Sequence, residues 1–375
     1  MSTYTQYGDV VVVNKDFGIE LDNLVADLYI VNRDPLGNYF LSRSPLASVP
    51  EVLYGETEDR ADHIIKTFHR RAERGVNTGV LLSGTKGSGK TMLAKVISRK
   101  LAALGIPTIM VTQGYTEANF LELMTKIGDK AVVMFDEFDK TYDKRESQEA
   151  LLSLLDGTGS GNKLFLLTKN SGFISEFFLN RPSRVFYNFN YDKISLDTMM
   201  DYLDRNLQNK EAHMMGFQRL HDVSIELSFD VIQGIVEELN AYPDMEFKEC
   251  IDMMGISLSS GRGEWQIANI TVNGKVIKVG HVSGIYGFNP MKFMANQMQI
   301  TAYLKPNAED IEMLRGSSYV EVDDEDDCEI RFSASTATCD LAEGGKIVIE
   351  SKTPGDTMRI VIEQPVMANA MTKLF

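Results

Sequence analysis

The sequence predicts an α/β protein: a parallel-sheet core with a helical segment behind it and a β-rich segment on either side. Three observations carry this prediction. Four short, almost unbroken apolar runs, GVLLSG, PTIMVT, AVVMFDE and KLFLLTK, alternate with helical stretches, as strands buried on both faces of a parallel sheet require. The first run leads directly into a glycine-rich loop pattern. Beyond Gly255 the pattern changes to alternating β-formers broken by hairpin signals.

The whole chain sets limits on function. Its 375 residues are 43% hydrophobic and 24% charged, enough for a sizeable core and two or three domains. Its net charge of −15, from 53 acidic and 38 basic residues, disfavours broad adhesion to nucleic acid or anionic membrane, while a local basic groove stays open. The start, MSTYTQYGDVVVV, lacks a basic segment ahead of a long apolar stretch, and no window approaches the roughly 18 apolar residues of a membrane span. A cytoplasmic protein with no membrane partner is therefore expected. Cys250, Cys328 and Cys339 show neither CxxC spacing nor neighbouring histidines, and read as reduced thiols.

Taken in order, residues 1–56 hold short β-branched or aromatic runs broken by DPLGN and SP turn signals, a small N-terminal β-rich arm. Residues 57–190 form the predicted core. It opens with TEDRADHIIKTFHRRAERG, where Ile64, Ile65 and Phe68 recur at helical spacing and Gly75 ends the run. The loop after the first strand is Gly84-Thr85-Lys86-Gly87-Ser88-Gly89-Lys90-Thr91, a full GxxxxGK[ST] match between a predicted strand and a predicted helix. The glycines let successive N–H groups face a phosphate, and the following helix adds its positive end. Lys90 is placed to reach the β- and γ-phosphates of ATP, and Thr91 to offer its hydroxyl to Mg²⁺.

The run VVMF ends in Asp136 and Glu137, adjacent carboxylates at a strand end where a cation can receive them. Asp136 is expected to support Mg²⁺ and Glu137 to act as general base on the attacking water. Asp139 either assists or is solvated. After the strand Lys163 to Thr168, a polar tip can reach both the γ-phosphate and the water; Asn170 is the candidate, with Thr168 the nearer alternative. Arg181 and Arg184 follow in NRPSR, with no obvious acid for both nearby in sequence. A guanidinium delivered to a loose phosphoryl-transfer transition state stabilises its spread charge by forked hydrogen bonds, and a structural pair is the alternative.

These motifs, GTKGSGKT, VVMFDE, Asn170 after LLTK and NRPSRV, resemble in order and interval the AAA+ ATPases, most closely their AAA clade. The resemblance covers residues 57–255. It implies an ATP-hydrolysing, Mg²⁺-dependent ring, a homo-hexamer or another closed ring of copies, in which Arg181 and Arg184 reach the neighbour's nucleotide. Here serine replaces the glycine of the clade's RPGR-type sequence and the usual aspartate after it is absent. Residues 191–255, with Leu196, Met199, Met200 and Leu203 in one helix and Ser228 capping DVIQGIVEELNAY, look like the helical lid of that superfamily. Lys248 is its candidate nucleotide sensor, a solvated lysine being the plainer reading. In protein-threading members an aromatic residue after the second core strand enters the pore; Tyr115, behind Gly114, holds that place, or packs on the next helix.

Residues 256–375 read as a β-rich C-terminal domain, with hairpins at Asn273-Gly274 and Pro354-Gly355. The acidic run at 321–327 suits a solvated loop or a basic partner, and Trp265 with SSGRGE suits core packing or a recognition edge. No family is evident for residues 1–50 or 256–375. The leading expectation is a ring that remodels or threads a protein or protein complex. The alternatives are a nucleic-acid machine of clamp-loader, helicase-loader or DNA motor type, and a nucleotide-gated assembly scaffold.

Overall fold

The computed structural model describes residues 4–12, 19–21, 23–127, 130–157, 162–170, 172–179, 181–224, 226–256, 265–285, 288, 293, 298–342, 346–351 and 353–363. By its contacts the chain divides into two compact units, residues 1–206 with 228–234, and residues 207–227 with 235–375.

The first unit contains, in chain order, β1 (Tyr4–Tyr7), β2 (Val10–Val12), β3 (Ile19–Leu21), β4 (Leu28–Arg33), β5 (Tyr39–Ser44), α1 (Thr57–Ala72), β6 (Thr78–Gly84), α2 (Lys90–Ala102), β7 (Thr108–Val111), α3 (Ala118–Lys126), β8 (Ala131–Phe135), α4 (Phe138–Thr141), α5 (Arg145–Glu149), α6 (Leu152–Asp156), β9 (Lys163–Lys169), β10 (Tyr187–Tyr191) and α7 (Leu196–Asn206). Its strands form one ten-stranded sheet in the order β10-β6-β9-β8-β7-β4-β5-β2-β1-β3. From β10 to β4 every pairing is parallel; from β4 to β3 every pairing is antiparallel.

The period of two explains why the parallel strands are continuously apolar. Val80, Leu82, Val132, Met134, Leu164 and Leu166 meet Ile64 and Phe68 of α1 and Leu93, Ile97 and Leu101 of α2 on one face. Leu81, Val133, Phe135, Phe165 and Leu167 meet Phe120, Leu123 and Phe138 on the other. Each strand thus buries both sets of side chains. The same second cluster takes in Val11, Tyr29, Val31, Tyr39 and Leu41. The strands of residues 1–50 therefore continue the core sheet through β4, which pairs with β7, instead of forming an arm of their own. β10 completes the sheet at the other edge; its YNFNY alternates aromatic and amide side chains and gives no apolar run for a sequence reading to find.

The second unit begins with helices. These are α8 (Lys210–Val223), the greater part of α9 (Phe229–Ala241) and α10 (Phe247–Met253). Phe217 and Phe247 stack edge to face at 5.0 Å between α8 and α10, across Gly216, where any Cβ would strike the Phe247 ring. The strands follow: β11 (Gln266–Val272), β12 (Lys275–Ile277), β13 (Val279–Ile285), β14 (Gln299–Pro306), then α11 (Ala308–Arg315), β15 (Val320–Val322), β16 (Cys328–Ser333), β17 (Ala337–Ala342), β18 (Lys346–Ser351) and β19 (Met358–Glu363). They form two antiparallel sheets, β12-β11-β19-β18-β17 and β13-β14-β16-β15. Ile270, Ile347, Ile349 and Ile360 of the first and Ile300, Leu304, Ile330 and Phe332 of the second share one core with Trp265.

Both expected hairpins form. Asn273 and Gly274 have φ of 47° and 80°, the paired left-handed values of a tight type I′ connection, and Gly355 turns β18 into β19 at φ 84°. Trp265 is buried at 1% exposure, edge to face with Phe288, so it belongs to the core; SSGRGE lies outside the described residues. In the acidic run, Asp323 accepts the N–H groups of Glu325 and Asp327, while Arg315 and Lys305 pair with Asp326 and Asp327. Burial pushes the Cys328 thiol up to about 11 and Cys339 up to about 12, which keeps both protonated at neutral pH.

Candidate functional site

Three of the parallel strands deliver the candidate groups to one end of the sheet. β6 ends in the glycine-rich loop, β8 in Asp136 and Glu137, and β9 in Asn170. Carboxyl ends of parallel strands are where such sheets bind ligands, because backbone and side chains there are free of the ladder.

The loop is curled by positive φ at Gly84, Gly87 and Gly89. Two of these are also forced by close approach. The backbone of Tyr191 lies against Gly84, and the carboxylate of Asp230 lies against Gly87, so a Cβ at either position would collide. Lys90, at the start of α2, is 6% exposed, and its ammonium donates to the carbonyls of Gly84 at 2.8 Å and Thr85 at 2.5 Å. Burial lowers its pKa, against the pull of Asp139, Asp136, Asp192 and Glu137. The amine is held inside the loop it is expected to serve, surrounded by negative charge that a cation and a phosphate would rearrange.

Asp136 sits at the centre of a small oxygen cluster. Thr91 donates to its Oδ1 at 3.2 Å and Thr168 at 2.6 Å. One carboxylate and one hydroxyl, both hard oxygen donors, fit a Mg²⁺ ion that takes its remaining ligands from water and phosphate. Among the described residues no group of three or more His, Cys, Asp and Glu could hold a metal without such help. Thr168, the nearer alternative to Asn170, is thus a brace: buried at 2%, it also accepts the Glu137 N–H at 2.8 Å.

Glu137 takes the left-handed backbone conformation, φ 49° and ψ 48°, at the entry to α4. For a residue with a Cβ this costs about 1 kcal/mol, and the bond to Thr168 helps to hold it. Its carboxylate meets Lys140 at 2.5 Å and Asn170 Nδ2 at 3.2 Å. Lys140 above all holds Glu137 below the ordinary carboxylate range, so the group is ionised, as a general base must be. Asp139 is not solvated: it is 6% exposed and accepts the N–H groups of Asn170 at 3.2 Å and Gly172 at 2.8 Å. It shapes the turn that presents Asn170.

The two arginines differ. Arg181 is exposed. Arg184 makes a fork with Asp156 at the end of α6, Nε to Oδ1 and Nη2 to Oδ2 both at 2.7 Å, while Nη1 donates to the Phe177 carbonyl at 2.8 Å. The acid that sequence proximity did not offer to Arg184 is therefore supplied by the fold.

Of the two readings open for Tyr115, the structure supports packing on the next helix. Tyr115 is 6% exposed, its ring edge to face with Tyr39 at 5.0 Å and tilted on Phe120 at 5.6 Å, and its carbonyl accepts the Tyr142 hydroxyl. Apolar burial holds it in the core, so it does not project from the loop as a pore residue would. Lys248 is exposed on α10, in the second unit. Asp230, at the start of α9, meets the loop: its N–H donates to Gly87 O at 3.1 Å. No local sequence signal joins Gly87 to Asp230.

Comparison with known proteins agrees with this geometry. The family described as "ATPase family associated with various cellular activities (AAA)" matches residues 80–189, from β6 through β10. Among similar curated proteins, the human ATPase family gene 2 protein homolog A is 27% identical over 197 residues, 46% of this chain and 21% of that protein. Protein mac-1 of Caenorhabditis elegans is 27% identical over 155 residues, 37% of this chain and 19% of its own length. The peroxisomal ATPase PEX6 of Candida glabrata is 29% identical over 175 residues, 41% of this chain and 16% of its own. The chain spans about a fifth of the length of these relatives.

Proposed function

The chain belongs to the AAA+ ATPase superfamily and carries its nucleotide-binding ATPase domain, and from that premise we propose that it works as a ring of identical subunits that spends ATP on remodelling a protein or protein complex. The observation that carries the reading is the convergence of Lys90, Thr91, Asp136, Glu137 and Asn170 at the carboxyl ends of β6, β8 and β9.

The loop Gly84 to Gly89 receives the phosphates on its N–H groups and on the α2 N-terminus, and Lys90 leaves the loop carbonyls for the β- and γ-phosphates. Mg²⁺, when bound beside Thr91 and Asp136, neutralises charge on the phosphate oxygens. Glu137 takes the proton of the attacking water, and Asn170, bonded to Glu137, fixes the position of both. The Arg181-to-Arg184 loop comes to this site from the adjacent subunit, so turnover depends on assembly.

The net charge of −15 favours a protein target over nucleic acid. With Tyr115 buried, remodelling here does not rest on that side chain gripping an extended chain. No helix among the described residues is long and apolar enough to cross a membrane.

The test is assembly with and without a slowly hydrolysed ATP analogue, followed by mixing. Arg181→Ala subunits and Lys90→Ala subunits, each inactive alone, regain ATP hydrolysis together, because some mixed contacts join an intact loop to an intact arginine. A chain that stays monomeric with the analogue, or co-assembled mixtures that stay silent, would sink the ring reading. Salt-dependent binding to single- or double-stranded DNA would move the target to nucleic acid.

A further inference from the structure

The RPSR loop holds two arginines of opposite circumstance, and we infer that they do different work: Arg181 alone reaches the neighbouring nucleotide, while Arg184 is an anchor whose partner, Asp156, positions it. The inference rests on the ring reading above and divides its arginine pair.

Arg184 has no nitrogen to spare. Nε and Nη2 fork onto Asp156, Nη1 donates to the Phe177 carbonyl, and the side chain is 11% exposed. A planar guanidinium so engaged gives up three charge-assisted bonds, and leaves a half-buried carboxylate unpaired, before it can point elsewhere. Its backbone is fixed as well. The Arg184 carbonyl lies against Gly79 so closely that any Cβ there would collide, Phe186 N–H donates to Gly79 O at 2.8 Å, and Val185 is buried.

Arg181 is the free end of the same turn. Its carbonyl accepts the N–H groups of Arg184 at 2.9 Å and Val185 at 3.0 Å, and its side chain is exposed and makes no ion pair or side-chain hydrogen bond among the described residues. From the other side, Arg71 of α1 donates to the Pro182 carbonyl at 3.2 Å while its guanidinium covers the Phe186 ring. The turn that carries Arg181 is thus clamped between α1, α6 and the start of β6. Placement matters because a transition-state contact misplaced by about 1 Å can cost about 10²-fold in rate.

The experiment measures kcat and KM for ATP on assembled full-length rings of Arg181→Ala, Arg184→Met, Asp156→Asn, the Asp156→Asn/Arg184→Met double variant, and the exchange Asp156→Arg/Arg184→Asp. Arg181→Ala is expected to lose about 10³-fold in kcat, as loss of an arginine finger does. Arg184→Met and Asp156→Asn are each expected to lose about 10²-fold with KM unchanged, and the double variant no more than either, because both remove one clamp. The exchange rebuilds the fork with reversed ends and is expected to regain at least about tenfold over Arg184→Met.

An arginine at 184 that acts on the phosphate directly predicts otherwise. Asp156→Asn would then keep wild-type kcat while Arg184→Met fell as far as Arg181→Ala, and that result overturns the anchor. Should the exchange variant fail to fold, the Asp156→Asn and Arg184→Met comparison decides alone. Silence of Arg181→Ala mixed with Lys90→Ala, by contrast, removes the trans reading itself, so the two failures are told apart.

Discussion

The carboxyl end of the parallel sheet and the antiparallel sandwich of the second unit are built from similar apolar residues, yet among the described residues it is the first that gathers the candidate groups. In β6, β8 and β9 both faces are buried, so polar side chains are confined to strand ends, and the three end at the same place. The sandwich strands alternate, β14 reading exposed, buried, half-buried, buried along its start, so polar groups are spread over an outer face. Its polar contacts are local: Asp356 Oδ2 accepts from Ser318, and Asp323 from its own turn. Parallel order concentrates function at an edge; antiparallel order distributes solubility over a surface.

The largest effect separating the two regions is expected at Glu137. Replacing it by glutamine removes the proposed base but leaves the loop, Lys90, Thr91 and Asp136 in place, so kcat is expected to fall about 10²- to 10⁴-fold while nucleotide binding is kept. Titration with a fluorescent ATP analogue beside steady-state hydrolysis reads both quantities. Normal turnover in Glu137→Gln would remove the residue from the mechanism and leave the strand-end convergence without its central member.

What was legible beforehand follows the range of the interactions. GTKGSGKT, VVMFDE and the Asn273-Gly274 turn are local, since each needs only its own few residues to adopt its geometry. The four apolar strands were legible because burial on both faces marks them individually. β10 was not, because an edge strand of alternating Tyr, Phe and Asn has no such mark. Nor was the continuation of the sheet into β4, β5, β2, β1 and β3, which is a matter of pairing between segments. For Tyr115 a pore role and packing on the next helix both stayed open for the same reason: its partner Tyr39 lies far back in the chain, and the fork of Arg184 with Asp156 spans 28 residues.

Next in size are two core deletions, one in each region. Tyr115→Ala removes an aromatic ring from the cluster beside Tyr39 and Phe120 and is expected to cost about 3–5 kcal/mol of the first unit's stability. Ile349→Ala, at 0% exposure in the sandwich, is expected to cost about 2–5 kcal/mol of the second. The informative measurement is denaturant unfolding with and without nucleotide. The candidate nucleotide loop lies in the first unit, so nucleotide is expected to offset the Tyr115 loss and leave the Ile349 loss untouched. A Tyr115→Ala protein of wild-type stability would return that side chain to the solvent-facing role expected from sequence.

The smallest effect tests whether the sandwich is held by local geometry as well as by its core. Asn273 occupies φ 47° in the β11 to β12 turn, a region open to asparagine at little cost and to alanine at about 1 kcal/mol. Its side-chain oxygen also accepts the Thr357 N–H at 2.9 Å, and its own N–H donates to the Thr357 carbonyl at 2.7 Å, so the turn is tied to the entry of β19. Asn273→Ala keeps the backbone bond and loses both side-chain bonds, from the Thr357 N–H and hydroxyl, and an expected cost of about 1–2 kcal/mol combines the strained φ with that loss. Asn273→Gly separates the two: it relieves φ while still lacking the acceptor, so it should recover part of the loss and no more. If glycine restores full stability, the side-chain bonds to Thr357 contribute nothing, and the hairpin is joined to β19 by backbone bonds alone.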